Sequence, residues 1–576
     1  MNGDTSTGER MSETQSWDRG TLRWNGWGRR DQRFDLDGRD DAFWDWVASE
    51  LGVPTLVERA PAELDALPLP AVRLSDALLG ALRDAVGADH VRTSAVERVF
   101  HSFGRSFRDL VNARRGRLER VFDAVVYPRT EEEVAAVLRL CSSNRVAVVP
   151  FGGGSSVVGG VEPRLGPGQE AAVCLDVTRM KRVLHVDPVA HTATIQAGIY
   201  GPELEEALQA RGYTLSHYPQ SFEFSTLGGW IAARGAGQQS NGYGVAAKWL
   251  VSARVVTPTG EITTRPFPNS AAGPDLNHVI AGSEGVLGVI TEATVRLHAV
   301  PEQRDYRAYL FRDQPSGLEA VRAMVQGGVG VSMLRLSDPD ETRFLTTFSS
   351  IGKPRGRLQD VVESGLARAG YGEPCLLLVG VEGDRARVSF NVARSTAVCA
   401  QHGGIPLGAG KGRSWYENRF RMPFLREPLL DRGMGVDTLE TSTTWSSIDQ
   451  LYAAVRDALQ QEIRAITGKD GIVMCHVSHS YATGASLYFT YVWPMTEGEE
   501  LAQWWRIKRA ASDAIANNDG TISHHHGVGV DHAPWLAGEK GDGVMTLLQA
   551  MRDAVDPHGV MNPGKLVDSG DDPLGS

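Results

Sequence analysis

The segment VAVVPFGGGSSVVGG, residues 146–160, constrains this chain more than any other stretch. Five residues, VAVVP, read as a buried strand, and the strand runs straight into three consecutive glycines. Glycine takes φ > 0 without steric cost and lets the backbone come close to a ligand. Successive N–H groups in such a loop can form a nest for a diphosphate. No Gly-Lys-Ser/Thr follows, so this is not a Walker loop, and the G-x-G-x-x-G spacing of a Rossmann site is missing. A glycine cluster alone is most often a turn, so its meaning depends on its neighbours.

Those neighbours have a β-α-β texture. VFDAVVYP is a short strand closed by Pro128. Thr130 followed by Glu131, Glu132 and Glu133 is a capping-box pattern. Val134, Val137, Leu138 and Cys141 then recur at i, i+3, i+4 and i+7, which predicts an amphipathic helix. AVCLDV and HTATIQAG read as strands, and GPELEEALQARG as a helix stopped by Gly212. From about residue 301 the texture changes. Helices such as LEAVRAMV and DRARVSFNVARSTAVCAQHG alternate with the strands AYLF, CLLLVGVEG, IVMCHVSHS and ASLYFTYVW. This predicts an α+β chain whose second domain is built on an antiparallel sheet. ELAQWWRIKRAASDAIANN reads as one long helix.

At 576 residues the chain is too long for one core. We divide it into a disordered arm (1–20), an aromatic-rich helical segment (21–117), a ligand-binding domain (118–300), a cap or substrate domain (301–515) and a C-terminal segment that returns to the ligand-binding domain (516–576). The tryptophans of RWNGWGRRDQRF and FWDWVASELG serve mainly to pin the helical segment to a larger body. A net charge of -11 argues against a nucleic-acid partner and against general binding to anionic membranes. The five cysteines form no CxxC pair, so neither a disulfide framework nor a zinc ribbon is expected. The N-terminus lacks an apolar signal region, no apolar run has the length of a membrane span, and the C-terminus, DDPLGS, carries no sorting tripeptide.

Two further segments complete the pattern around the first loop. One is QSFEFSTLGGWIAARGAGQQSNGYG, residues 220–244, with hydroxyls and small residues suited to wrapping a flat cofactor. The other is AGSEGVLGVITEATVRL, residues 281–297, where glycine-rich turns feed a β-branched strand. In this order the three segments resemble the FAD-binding domain of the vanillyl-alcohol oxidase and para-cresol methylhydroxylase superfamily, over about residues 118–300. The resemblance implies a two-part FAD domain with an α+β cap. It assigns FAD contacts to Pro150, Phe151, Gly152, Gly153, Gly154, Ser155 and Ser156 in the first segment. In the second they are Gln220, Ser221, Phe222, Glu223, Phe224, Ser225, Thr226, Ala233, Arg234, Gly235 and Ala236. In the third they are Glu284, Gly285, Val286, Leu287, Gly288, Val289 and Ile290. Some members tether FAD through a histidine near the first loop. Ser155 and Ser156 stand there in this chain, so non-covalent FAD is expected.

Four stretches narrow the resemblance: RWNGWGRRDQRF, QSFEFSTLGGW, ASLYFTYVW and SHHHGVG. Together they resemble the alkyldihydroxyacetonephosphate synthase family, from about Arg23 to about Asp556. That family replaces the acyl group of acyl-dihydroxyacetone phosphate with a long-chain fatty alcohol, without net redox change. The resemblance implies that FAD acts as a covalent scaffold through its N5 atom. It makes Tyr488 the catalytic base, with His524, His525 and His526 beside it and Tyr481 as the alternative tyrosine. It gives Arg426, Arg335 and His217 to substrate and places His217 and Thr226 near the flavin. It also implies a homodimer. The peroxisomal targeting of eukaryotic relatives is absent, so a bacterial-type cytoplasmic enzyme is expected, in loose contact with membrane because its substrates are lipids.

The residues themselves leave alternatives open. Alternation in LYFTYVW puts Tyr488 and Thr490 on one face and Leu487, Phe489 and Tyr491 on the other, and one face must be core. A phenolate needs nearby cations, since a free phenol titrates near 10. If extended, His524 and His526 share a face and His525 points away. No pattern supplies further ligands, so no metal is expected. Arg426 and Arg335 could instead make surface salt bridges, and His217 could be a satisfied buried histidine. The tail VDPHGVMNPGKL resembles that of flavin-dependent D-2-hydroxy-acid dehydrogenases. It keeps oxidation of a D-2-hydroxy acid, such as glycolate or D-lactate, as a second expectation.

Overall fold

A computed structural model describes residues 19–353, 364–567 and 573–574. Most of the arm at residues 1–20 therefore lies outside the described residues. The chain is α+β and carries three main sheets.

The first sheet contains the predicted strands β1 (Ala124–Val126), β2 (Ala147–Phe151) and β3 (Ala172–Asp176), all parallel, in the order β1-β3-β2. The helix Glu131–Ser143 connects β1 to β2. Thr130 caps it by accepting from Glu133 N, while the Glu133 carboxylate turns back to Arg129 N in place of the cap residue's own N–H. Val134, Val137, Leu138 and Cys141 are fully buried against the sheet, as the spacing predicts. The open edge of β2 is covered by the C-terminal tail. Val148 pairs with Met561 in parallel, and Asn562 N donates to Val148 O.

The second sheet is antiparallel: β4 (Val183–Asp187), β5 (Thr192–Gln196), β6 (Leu250–Thr257), β7 (Gly260–Thr263) and β8 (Val289–Arg296), in the order β4-β5-β8-β6-β7. It packs its own apolar cluster against the helices Gly201–Gln209 and Leu227–Ala232.

The third sheet, also antiparallel, has seven strands: β9 (Gln303–Phe311), β10 (Met333–Ser337), β11 (Cys375–Gly383), β12 (Ile405–Gly408), β13 (Met434–Thr444), β14 (Ile472–Ser480) and β15 (Gly484–Pro494). Their order is β12-β9-β11-β10-β14-β15-β13. The helices Ile448–Thr467 and Glu500–Ala516 cover one face. There Leu451, Val455, Leu459 and Ile463 meet Leu487, Phe489, Trp504 and Ile507 in the largest core of the chain. Strand β13 is not visible in the sequence, because VDTLETSTT reads as polar loop.

The stretch 21–117 is not a separate helical segment. The helix Asp76–Val86 packs into the first core beside the helix Glu131–Ser143, and Val91–Arg92 pairs antiparallel with β1 as its fourth strand. Only the earlier part bridges domains. Trp24 and Trp27 are buried with Phe100, Phe103, Phe224 and Phe424, while Phe43, Trp44 and Trp46 pack on the cap core. Gly28, at φ +77°, allows this seat, since a Cβ there would stand 2.3 Å from the Phe424 ring.

Candidate active site

A cavity of about 800 Å³ lies where the three glycine-rich segments face the open side of the cap sheet. Residues 150–156 form one wall, and the glycines there are sterically required. A Cβ on Gly152 would lie 2.2 Å from Thr226 Oγ1, and one on Gly153 would lie 1.8 Å from Phe224 O. Gly154 sits at φ +65° against the Phe151 ring. The first segment is thus packed directly on the second. Gln220, Ser221, Ser225, Thr226, Ala233, Gly235, Ala236, Gly285, Gly288, Val289 and Ile290 also line the cavity.

Several residues expected to touch the cofactor have other roles. Phe222 stacks on Trp230 and Phe420, and Phe224 packs edge-on against Trp27. Glu223 is not among the lining residues. Arg234, at φ +56°, reaches back to the carbonyls of His278 and Ala281. Val286 and Leu287 are buried in the core. Glu284 lines the cavity, but its carboxylate accepts N–H groups from Val528 (2.5 Å) and Gly529 (2.7 Å), so it ties down the segment after the three histidines. The tail has a similar scaffold role. Asn562 Nδ2 donates to Gly160 O and Glu284 O, and Lys565 Nζ donates to Glu162 O. Its likeness to the hydroxy-acid dehydrogenase tail therefore concerns holding the loops, not the chemistry in the cavity.

Two observations fit the cavity to a flat, diphosphate-bearing cofactor: the cradle of loop backbone that a Cβ would fill, and His217. Trp249 Nε1 donates to His217 Nδ1 at 3.3 Å, so Nε2 carries the ring proton. That atom is buried without a hydrogen-bond partner among the described residues, in a side chain lining the cavity. Burial, aided by His525, lowers His217 to about 3, so it is a neutral donor. His217 is thus satisfied at Nδ1 only, among the described residues.

The cap contributes the reactive face. Leu487, Phe489 and Tyr491 are fully buried, and Tyr488 and Thr490 face the cavity, as the alternation predicts. Register then aligns three strands. Glu440 of β13 and His476 of β14 are both direct partners of Tyr488, so the three side chains share one face. The His476 ring stacks on Tyr488 at 4.8 Å and 17°. Its Nδ1 and Arg335 Nη2 both bond Glu341 Oε1, at 2.9 and 2.8 Å, and Arg335 Nη1 is 2.9 Å from His476 Nε2. Burial would raise Glu341, but Arg335 and His476 outweigh it and bring it down to about 2. Arg335 is therefore no surface salt bridge.

The three histidines are not extended, so the facing that an extended run would give does not apply. Their backbone wraps the Glu440 carboxylate. His524 N donates to Oε2 at 2.6 Å, and His525 N (3.0 Å), His526 N (2.8 Å) and the Ser523 hydroxyl (2.7 Å) donate to Oε1. Glu440 is fully buried. Burial opposes its charge, yet the histidines around it hold it well below the usual carboxylate range. The wrap turns His525 and His526 to the cavity beside Tyr488, with ring centroids 6.0 and 5.5 Å away. His524 points elsewhere. It stacks on His479, and its Nε2 is 2.7 Å from the Tyr481 hydroxyl. Tyr481 does not line the main cavity, so it is not an alternative base. The fold does supply the third nitrogen that the sequence lacked, since ligand atoms of His479, His524 and His525 lie within 4.8 Å of one another. Hydrogen bonds already engage them, with Ser240 Oγ at 2.6 Å from His479 Nδ1.

Arg426 also lines the cavity. Its Nη1 donates to Arg105 O at 2.7 Å, while Nε and Nη2 are buried with no hydrogen-bond partner among the described residues. A buried guanidinium left so is costly, and a bidentate anion relieves it. The nearest carboxylate, Asp437, stands 3.9 Å from Nη2. Burial, with Glu440 and Asp437, pushes Tyr488 up to about 12, against the Thr438 hydroxyl and Arg426. The histidines give the phenolate little help, because burial keeps His524 and His526 neutral. Sequence reading missed Glu440, His476, His479 and Glu341. Only the spacing HVSH in β14 hints at any of them.

The chain was compared with known proteins. The family described as "FAD binding domain" matches residues 122–265, and "FAD linked oxidases, C-terminal domain" matches 300–566. An alkyldihydroxyacetonephosphate synthase from Dictyostelium discoideum is 35% identical over 489 residues, covering 83% of this chain and 79% of that protein. A solved structure of an alkyldihydroxyacetonephosphate synthase superposes with a TM-score of 0.82 at 30% identity, over 95% of this chain and 99% of its own. The structure of p-cresol methylhydroxylase shares the fold, with a TM-score of 0.65 at 16% identity over 87% of this chain and 99% of its own.

Proposed function

Because the chain belongs to the alkyldihydroxyacetonephosphate synthase family, we propose that it replaces the acyl group of acyl-dihydroxyacetone phosphate with a long-chain fatty alcohol, using FAD. The product is alkyl-dihydroxyacetone phosphate, the ether-linked precursor of ether lipids. One observation carries the reading. A single cavity joins the glycine-rich wall, the polar group of Tyr488, His525, His526 and Arg426, and an apolar side with Phe34, Phe43, Val47, Phe344, Phe348 and Leu429. A hydroxy acid would need the first two parts; only a long chain uses the third.

Each residue has work suited to its chemistry. The unpaired nitrogens of Arg426 match the phosphate of the substrate. His217 Nε2 and the backbone of residues 152–156 would hold the cofactor, which when bound would supply a nucleophilic ring nitrogen. Tyr488 rests as the neutral phenol. A phenol near 12 does not give its proton to a carboxylate whose own value is near 4, so the fatty acid leaves as the anion. Tyr488 must then shed its proton before it takes the one on the alcohol. The apolar side excludes water, which would otherwise compete with the alcohol as nucleophile.

The same reading takes FAD as non-covalent, the enzyme as a cytoplasmic homodimer, and its approach to lipid substrates as peripheral contact with a membrane. Among the described residues no helix is long and apolar enough to cross a membrane. The test is to incubate the purified protein with acyl-dihydroxyacetone phosphate and hexadecanol and look for the ether product. Absence of product, with flavin bleaching by glycolate or D-lactate, would move the protein to the oxidoreductase reading.

A further inference from the structure

The exchange proposed above releases a proton inside a largely apolar cavity. Acyl ester and alcohol go in, and ether, fatty carboxylate and H⁺ come out, so one proton has to reach solvent in each turnover. His524 is the one histidine of the three that does not line the cavity, and its position is otherwise unexplained.

Its contacts form a chain. His525 lies on the cavity wall beside Tyr488. His525 Nδ1 is 3.0 Å from His524 Nδ1, and His524 Nε2 is 2.7 Å from the Tyr481 hydroxyl. Tyr481 is 39% exposed and lines a second, open depression of about 420 Å³ with Ser442, Thr443, Thr444, Thr483 and Asp519. We propose that His525, His524 and Tyr481 are the proton exit of the active site, leading from the Tyr488 side of the cavity to this polar depression.

The balance is simple. A proton taken up at His525 Nε2 releases the one on Nδ1 to His524 Nδ1. His524 releases its Nε2 proton to the Tyr481 oxygen, and the Tyr481 hydroxyl releases its own to water. No bond between heavy atoms changes. Each member carries a group able both to donate and to accept. Burial, with His525, lowers His524 to about 4, and burial, with Glu440, raises Tyr481 to about 12. Glu440 Oε2, 3.5 Å from His525 Nδ1, is the carboxylate that faces the chain and stabilises the cation formed in transit. His479 stacks on His524, but Ser240 engages its Nδ1, so it supports the chain from the side.

The inference rests on the exchange reading, and the experiment separates the two. Tyr481→Phe and His524→Gln each break the chain without emptying the cavity wall. With acyl-dihydroxyacetone phosphate and hexadecanol, each variant should lose about tenfold or more in kcat with KM unchanged. Each should show a larger solvent deuterium isotope effect than wild type and regain activity with added imidazole. Wild-type kcat in both variants would overturn the exit, as would a loss with neither isotope effect nor rescue, which marks mere structural damage. A wild-type protein that makes no ether product would overturn the exchange reading, and the exit with it.

Discussion

Glu440 is the cross-strand partner of Tyr488, yet it serves the phenol through a loop more than eighty residues away in sequence. Its carboxylate gathers the N–H groups of His524, His525 and His526, and that grip turns two imidazoles toward the tyrosine. A polar strand residue thereby organises the reactive face without entering the cavity.

Glu440→Gln tests this grip. The new amide must set an NH₂ group against one of the backbone donors that now share the carboxylate. An unsatisfied buried donor costs about 1–3 kcal/mol. Thermal melting should show that loss, and kcat should fall with FAD still bound, because the glycine-rich wall is untouched. Unchanged kcat would show that the histidine orientation is irrelevant to turnover.

Tyr488→Phe removes the hydroxyl and keeps the ring stacked on His476. Exchange should fall by about 10²–10⁴-fold, the usual worth of a positioned acid–base group. The melting temperature should stay close to wild type. Full activity in this variant would refute the assignment.

Arg426→Lys and Arg426→Ala probe the phosphate contact. A lysine keeps the charge but loses the planar fork. Steady-state kinetics should show kcat/KM lowered in both, by about 30-fold or more in the alanine variant, in line with a charge-assisted pair worth about 2 kcal/mol or more. A competing short-chain phosphate should inhibit wild type more strongly than either variant.

Gly153→Ala places a methyl group where Phe224 O stands, 1.8 Å from the ideal Cβ. The two cofactor segments must separate to admit it. The purified variant should lack the visible flavin absorbance and melt at a lower temperature than wild type, and added FAD should recover little of either.

The buried Glu341 predicts an acid limit. Its folded value, about 2, is below its unfolded value near 4.5, so its contribution is complete above about pH 4.5 and disappears as the pH falls toward 2. The shift corresponds to about 3 kcal/mol. Denaturant titrations should show wild type losing that stability across this window, and Glu341→Gln, already less stable at pH 7, should show a flatter dependence.

Much of the molecule was legible because its signals are local. Strand-then-glycine at 146–154, the apolar spacing after Thr130 and the alternation around Tyr488 depend on nearest neighbours along one element, and β2, the helix Glu131–Ser143 and β15 form where they point. The resemblance carried by the tryptophan block and the triple histidine named the reaction class. What stayed hidden is what register decides. Strand β13 reads as loop because most of its residues are polar; Asp437 and Thr438 line the cavity, Glu440 holds the histidine loop, and Ser442 to Thr444 border the open depression.

The sequence by itself determined the flavin-type wall, the face of β15 that turns from the core, and the set of residues able to do proton and phosphate chemistry. Tertiary structure decided which of them act together. Glu440, Tyr488 and His476 become a row only through pairing of three strands, and the histidines divide into cavity residues and an outward-facing His524 only by wrapping one buried carboxylate. The physical reason is range. Backbone propensity and periodicity act over a few residues, whereas a hydrogen bond or an ion pair acts between groups that the chain brings together from any distance.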